Sequence, residues 1–339
     1  MTSIKKKIKD WTPETKIKAG QAYRGMPSEL YHQHPALSNS GLKTLLDCPA
    51  RYYYKYLSGE CELKETPAQK IGKASHCYIL EGEKAFTQRY WHNPYSGFLK
   101  DETIAFLCVK GFKAEELKKQ KTTELKALLL KTMGIEPKEI ELNKNELNQV
   151  ISLARAINKN PQAKGAFSQK GESEVSLFWN DPETGVMLKC RPDWLPYDCL
   201  DIPDYKTTSS VNPAVFAKDF VKYGYHIQSA FYRMGIKEVF GIDVQNFFFV
   251  AQEKEPPCIT QCFNPDMGFV EFGEKAIRLG IEVFLDCKER GIWETDSDEV
   301  IEMSLGNKPD DLAGYFDKKN AIVYLPYWID SEFEKYEVV

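Results

Sequence analysis

The sequence predicts an α/β protein of α+β character: a mixed central β-sheet flanked by helices and carrying a helical insertion. Three observations predict it. Amphipathic helical spacing occupies much of residues 37–82, strand-like segments separated by Pro- and Gly-containing turns fill 172–208, and the chain then returns to helix, strand, strand and helix up to residue 290. Helices on either side of a strand run in this order cover a sheet from both sides.

Taken in order, residues 1–20 are polar and basic, with Lys5, Lys6, Lys7 and Lys9, and have the character of a mobile arm. The stretch "LSNSGLKTLLDCPARYYYKYL" (37–57) offers Ser38 or Ser40 as a helix N-cap, followed by apolar residues at 42, 45 and 46. Pro49 should kink or split that helix. In "KIGKASHCYILEG" (70–82), Ile71, Ala74, Tyr78 and Ile79 fall at helical spacing and Gly82 ends the element. Residues 95–162 are rich in Lys, Glu and Leu, which predicts a helical insertion closed by Pro161. Strands follow at 172–180, 186–195 and 199–208, separated by a turn at 181–185 and another near Pro196. Residues 212–236 predict a helix broken near Gly224, residues 244–253 and 258–263 two strands, and residues 268–290 a last helix. The folded domain is thus expected over 21–295, with a C-terminal extension at 296–339.

A chain of 339 residues with 42% hydrophobic residues is long enough to bury a substantial core. The basic N-terminus is followed by no apolar run of signal-peptide length, and no segment approaches the roughly 18 apolar residues of a membrane span, so a cytoplasmic location is expected. The nine cysteines are odd in number and lack paired zinc-ribbon spacing, as buried reduced thiols would. A formal net charge of −4 means that any contact with a polyanion must be local.

The chemistry concentrates in "CRPDWLPYDCLDIPDYKTT" (190–208). If 186–195 and 199–208 form a hairpin, alternation places Asp204 and Lys206 on one face and brings Asp193 beside them. Two carboxylates held close together call for a cation, and hard oxygen ligands suit Mg²⁺ or Mn²⁺. A neighbouring lysine can orient water and stabilise charge on a phosphate oxygen. From Asp-x-Lys alone, a weak surface ion pair on an exposed hairpin is the simpler reading. Asp198 and Asp201 have the character of turn residues. Glu174, at the start of the preceding strand, suits either an additional acid in the site or a rim position.

Pro192-Asp193, ten further residues and Asp204-Tyr205-Lys206 together resemble the core motif of the PD-(D/E)-x-K nuclease superfamily. The stretch at 37–57 resembles the opening helix of RecB-type nucleases, "IGKASH" (71–76) their histidine helix and "YHIQSAFY" (225–232) their Gln-x-x-x-Tyr helix. With the lead-in "YRGMPSELYHQHPALSNSGLK", the order of elements over residues 20–290 is most similar to RecE-type nuclease domains. The resemblance implies a magnesium-dependent exodeoxyribonuclease, with Mn²⁺ as substitute, that degrades linear duplex DNA from 5′ ends and leaves 3′ tails for recombination. It implies metal binding by His76, Asp193 and Asp204, with Glu174 as a further candidate, catalysis by Lys206, and Gln228 and Tyr232 beside the site.

Helix geometry is compatible with this. Gly72 lies one turn before His76, leaving room for a ligand over the imidazole, and Gln228 and Tyr232 share a helical face. His226 points far around the helix from Gln228 and is a poorer ligand. For an acidic protein, DNA contacts must come from local cations, of which Arg51, Lys55, Lys73, Lys189 and Arg191 are candidates. The resemblance further implies a ring-shaped homo-oligomer, a trimer or tetramer, cooperation with a single-strand annealing recombinase, and a bacterial or phage-encoded protein. A single-strand or structure-specific nuclease of the same fold, and an inactive DNA-binding module, are the alternatives.

Overall fold

The computed structural model describes residues 4–61 and 66–293. The expected extension at 296–339 lies outside the described residues.

A short 3-10 turn, Ile4–Lys6, leads into β1 (Ile8–Asp10), β2 (Gln21–Arg24), α1 (Ser28–Gln33), β3 (Leu37–Ser38), α2 (Asn39–Asp47) and α3 (Pro49–Tyr52). The Ser38 hydroxyl accepts the Gly41 N–H at the start of α2, and Pro49 splits the predicted helix by opening α3 at its first turn. A π-helical turn, Tyr53–Leu57, completes this region. Then come α4 (Pro67–His76), a second π-helical turn (Cys77–Glu81) and α5 (Gly82–Arg89), with the predicted break at Gly82 where φ is +86°.

The insertion is helical in the main: β4 (Tyr90–His92), α6 (Lys100–Val109), α7 (Ala114–Lys118), α8 (Thr122–Thr132), β5 (Ile140–Leu142), α9 (Lys144–Ile157) and α10 (Pro161–Phe167). Its first helices bury Ile104, Leu107, Leu117, Leu125 and Leu129 in a cluster of their own. Helix α9 instead places Val150 against Ala74 and Cys77, so its second half braces the histidine helix.

The remaining elements are β6 (Gly171–Ser173), β7 (Ser176–Asn180), β8 (Met187–Cys190), β9 (Trp194–Pro196), β10 (Asp201–Thr208), α11 (Pro213–Lys222), α12 (Tyr225–Phe240), β11 (Asn246–Glu253), β12 (Thr260–Phe263) and α13 (Met267–Arg290). One sheet runs β1-β2-β7-β8-β3, another β10-β11-β12, and β6 pairs with β9. Parallel and antiparallel pairs coexist, as expected of a mixed sheet.

Two expectations are corrected. Residues 186–195 and 199–208 do not form a hairpin: β8 pairs antiparallel with β7, while β10 pairs in parallel with β11 along its whole length. Pro192 has no N–H to give a ladder and interrupts the first strand, while Ile202, Pro203, Asp204 and Tyr205 are buried on both faces of β10, the edge strand of its sheet. Nor are residues 4–20, the described part of the expected mobile arm at 1–20, an arm. Ile4 and Ile8 are buried, Ile4 N–H donates to the Tyr197 carbonyl at 3.0 Å, and β1 lies parallel to β2. Two apolar side chains four residues apart anchor a segment whose lysines face outward.

Trp179 and Phe247 are buried against Phe231 and Tyr232 of α12, whereas Phe178, on the other face of β7, packs with Tyr23, Met26 and Tyr31. Helices α12 and α13 cross so closely at Gly273 that an added Cβ would stand 2.3 Å from the His226 carbonyl oxygen. That crossing fixes α12, which carries Gln228 and Tyr232.

Candidate active site

Residues from five segments converge at the seam between the two sheets. His76 closes α4 where the chain passes into a π-helical turn, a local rewinding common at functional positions. Its Nε2 lies 3.1 Å from Asp193 Oδ1 and 3.4 Å from Glu174 Oε1. Asp193 follows the Pro192 break, and its Oδ2 accepts the Tyr205 backbone N–H at 2.7 Å. Glu174 occupies the joint between β6 and β7 in the left-handed region, φ +55°, and donates its N–H to the Asp193 carbonyl at 3.3 Å. A glutamate held in that region costs on the order of 1 kcal/mol, and the surrounding contacts impose it.

Asp204 and Lys206 share one face of β10, as alternation requires, and form an ion pair. Asp204 is 1% exposed, and Gln228 Nε2 donates to its Oδ1 at 2.6 Å. Tyr232, one turn beyond Gln228 on α12, lines a cavity of about 180 Å³ with Glu174, Asp193 and Arg191. Ser38 and Ser40 also line it.

The charges are mutually dependent. Burial alone would lower the His76 pKa, but Asp193, Glu174 and Asp204 outweigh it and raise it to about 9. Burial pushes the Glu174 carboxyl up to about 7, with Asp193 adding to the effect and His76 and Arg191 opposing it. Burial likewise raises Asp204 to about 6, reinforced by Asp193 and opposed by Lys206. At Asp193, burial is outweighed by His76, Lys206 and the Tyr205 amide, and the carboxyl stays below its ordinary value. Lys206 resists the effect of burial because Asp204 and Asp193 favour the ammonium, and its pKa is raised. Three acids, one imidazole and one amine therefore share one titrating cluster.

His76, Glu174 and Asp193 each offer a ligand atom, all within 4.8 Å of one another. One imidazole nitrogen and two carboxylates are a donor set suited to a divalent cation such as Mn²⁺ or Mg²⁺. Repulsion between the two carboxylates, borne here by His76, is what a cation would relieve. Asp204 stands apart from that trio, held by Gln228 and Lys206.

Two of the five expected DNA contacts have other work. Lys189 is buried, and its Nζ donates to the carbonyl oxygens of Tyr31 at 2.5 Å, His34 at 2.7 Å and His32 at 3.3 Å. It terminates α1, because a buried amine with three N–H groups matches three carbonyls left open by a short helix. Burial, aided by Arg191, lowers its pKa to about 8. Arg191 donates to the Ser176 hydroxyl and the Met26 carbonyl and lies 4.2 Å from the Tyr31 ring centroid, so it builds the cavity wall. Arg51, paired with Asp47, and Lys73 are exposed, and Lys55 is half-buried beside the Tyr56 ring. Gly72 faces Thr207 on β10, where an added Cβ would make an ordinary 3.7 Å contact, so it opens no space that alanine would close. His226 is buried against Phe272, and burial lowers its pKa to about 4.

Sequence reasoning missed Lys43 and Tyr225. Lys43 Nζ donates to the Tyr223 carbonyl at 2.8 Å, and burial together with the charge of Lys206 lowers its pKa to about 8. Tyr225 places its ring 5.3 Å from Lys206 Nζ. No local spacing signals a contact between residues 180 positions apart.

No curated protein matches the chain. Among solved structures, a candidate exonuclease from Eubacterium rectale is similar in fold at 16% identity, with a TM-score of 0.54, covering 82% of this chain and 88% of its own. No described helix is long and apolar enough to cross a membrane. Residues 38–303 match the family described as the PDDEXK-like domain of unknown function, DUF3799, a span that takes in His76, Glu174, Asp193, Asp204, Lys206 and Gln228. The chain belongs to that family and carries the PDDEXK nuclease fold.

Proposed function

We propose that this protein is a divalent-metal-dependent exodeoxyribonuclease that degrades linear duplex DNA from 5′ ends and leaves 3′ single-stranded tails. The observation that carries the reading is the convergence of His76, Glu174 and Asp193 on one point, beside a Lys206–Asp204 pair locked by Gln228. His76, Glu174 and Asp193 would hold the cation, with Asp204 next to them, and the cation would supply Lewis-acid stabilisation of phosphate charge.

The chain's own groups do the rest. Lys206, kept protonated by Asp204 and Asp193, presents a positive charge to a non-bridging phosphate oxygen as water adds to phosphorus and the bond to the leaving oxygen breaks. Gln228 keeps Asp204 from swinging away from the lysine. Tyr232 and Arg191 wall the adjoining cavity, whose hydroxyls and positive charge suit sugar and phosphate groups at a chain end. Assembly into a trimeric or tetrameric ring would gather Arg51, Lys55 and Lys73 from several subunits around one duplex, and the 3′ tail would pass to an annealing recombinase.

The test is incubation with Mg²⁺ or Mn²⁺ and duplexes labelled at 5′ or 3′ ends, linear or covalently closed. Release of 5′-terminal nucleotides from linear DNA, with circles intact, is expected. Cleavage of circles would overturn the end requirement, and binding without cleavage under either metal would leave a DNA-binding module of the same fold.

A further inference from the structure

The Lys206 amine is bounded by one carboxylate and two aromatic rings. Its Nζ pairs with Asp204, lies 5.3 Å from the Tyr225 ring centroid and 6.0 Å from that of Phe249. Phe249 is the register partner of Asp204 on the adjoining strand β11, and Tyr225 stacks on it at 5.1 Å with 22° between the planes. The two rings form one platform rising beside the acid.

The turn before α12 fixes where that platform stands. Gly224 adopts φ +62°, a conformation that favours glycine, and an added Cβ there would meet Lys43 Cδ at 2.6 Å. Lys43 grips the preceding carbonyl, that of Tyr223, and so ties α2 to the turn. Tyr225 and Gln228 then fall three residues apart on one helical face, Tyr225 next to Lys206 and Gln228 bonded to Asp204. One face of α12 thus addresses both members of the ion pair.

We propose that Tyr225 is a positioning residue for Lys206, its ring face holding the ammonium in one place beside Asp204. A lysine amine is a point charge on a flexible stem, and a single carboxylate leaves its stem rotamers open. The negative face of an aromatic ring within about 6 Å attracts the cation without occupying its N–H groups. Those N–H groups stay available to a phosphate oxygen. The proposal rests on the reading of Lys206 as the phosphate-directed group.

Volume-conserving replacement of Tyr225 by phenylalanine and by mono-, di- and trifluorophenylalanine weakens the ring face stepwise. We expect kcat on linear duplex DNA to match the native enzyme in Tyr225→Phe and to fall by about tenfold across the fluorinated series. KM and Mn²⁺ affinity should stay constant, and so should the melting temperature. A merely structural ring gives a flat kcat series, which overturns the proposal. A second measurement needs no activity: NMR of the Lys206 ε-methylene protons should show a ring-current shift that survives Tyr225→Phe and falls in Tyr225→Leu to the smaller part owed to Phe249. Absence of that shift in the native protein also overturns the proposal. A protein that shows the shift yet cleaves no DNA would instead refute the nuclease reading.

Discussion

Asp193 accepts a hydrogen bond from the backbone N–H of Tyr205 at 2.7 Å, and Tyr205 is the residue between Asp204 and Lys206. The two halves of the motif are thereby joined through a peptide group rather than through strand pairing. The other side of Tyr205 is equally fixed, since its hydroxyl donates to Gln252 Oε1 at 2.7 Å in the buried interior. Asp193 thus combines a backbone tie with its place beside His76.

Asp193→Asn and Glu174→Gln should separate these roles. Both remove a charge from the proposed cation site and should abolish cleavage. In metal-free protein at pH 8, Asp193→Asn should lower the melting temperature, because native Asp193 is stabilised as an anion by His76. Glu174→Gln should raise it, because a carboxyl pushed up to about 7 is destabilising when ionised. Glu174 is 36% exposed at its side chain, so the gain after solvent screening is about 1 kcal/mol. Shifts of the same sign in both variants, measured by thermal denaturation in EDTA, would contradict this electrostatic assignment.

The cluster also predicts a pH dependence. Glu174, at about 7, and Asp204, at about 6, are raised above ordinary carboxyl values, so the folded state binds more protons than the unfolded chain between roughly pH 4 and 7. His76, raised to about 9, extends the excess from about pH 6.5 to 9, where the stability of its charged form is lost as pH rises. All three effects have the same sign. His226, lowered to about 4, opposes this below about pH 6.5, and Lys43 and Lys189, lowered to about 8, oppose it above about pH 8; between those limits metal-free protein should melt at progressively lower temperature as pH rises, and added Mn²⁺ should restore most stability at pH 8. A flat profile in EDTA would show that these groups do not share one field.

Gln228→Ala removes the hydrogen bond that Asp204 Oδ1 accepts and leaves a carboxylate oxygen buried beside a mobile lysine. The expected cost is about 1–3 kcal/mol of stability together with a kcat reduced about tenfold, DNA affinity remaining the same. Gln228→Glu should be worse in both respects, since it places another carboxylate against Asp204. Equal kcat in native protein and Gln228→Ala would remove Gln228 from the site.

Much of this site was legible in the sequence because its parts obey local rules. Alternation put Asp204 and Lys206 on one face, helical spacing put Gln228 and Tyr232 on another, and the Ser38 cap, the Pro49 split and the Gly224 break all occur where the residues call for them. The departures arise where pairing is non-local. Nothing near Asp204 announces that β10 pairs with β11 across an intervening pair of helices, and basic character in a strand does not reveal whether a lysine points to solvent or to three carbonyls. Likewise, Ile4 and Ile8 are too few to display a period, yet they are enough to seat the first strand.

Lys189 and Lys73 provide the sharpest contrast between buried and exposed positive charge. Both precede a site residue by a few positions, and composition cannot tell them apart. Lys189 already bonds three carbonyls, so Lys189→Met should strip α1 of its cap and cost about 2–4 kcal/mol. Variants that remain folded should bind DNA with an unaltered salt dependence. Lys73 is exposed one turn before His76, and Lys73→Ala should leave the melting temperature within a degree or two while weakening DNA binding. Removing one lysine–phosphate pairing reduces the slope of log affinity against log salt by about 1. Titrations of a labelled duplex at several salt concentrations, with uncleavable linkages, measure that slope directly. A reduced slope in Lys189→Met with no loss of stability would return that lysine to the DNA path, and an unchanged slope in Lys73→Ala would place the duplex elsewhere than along α4.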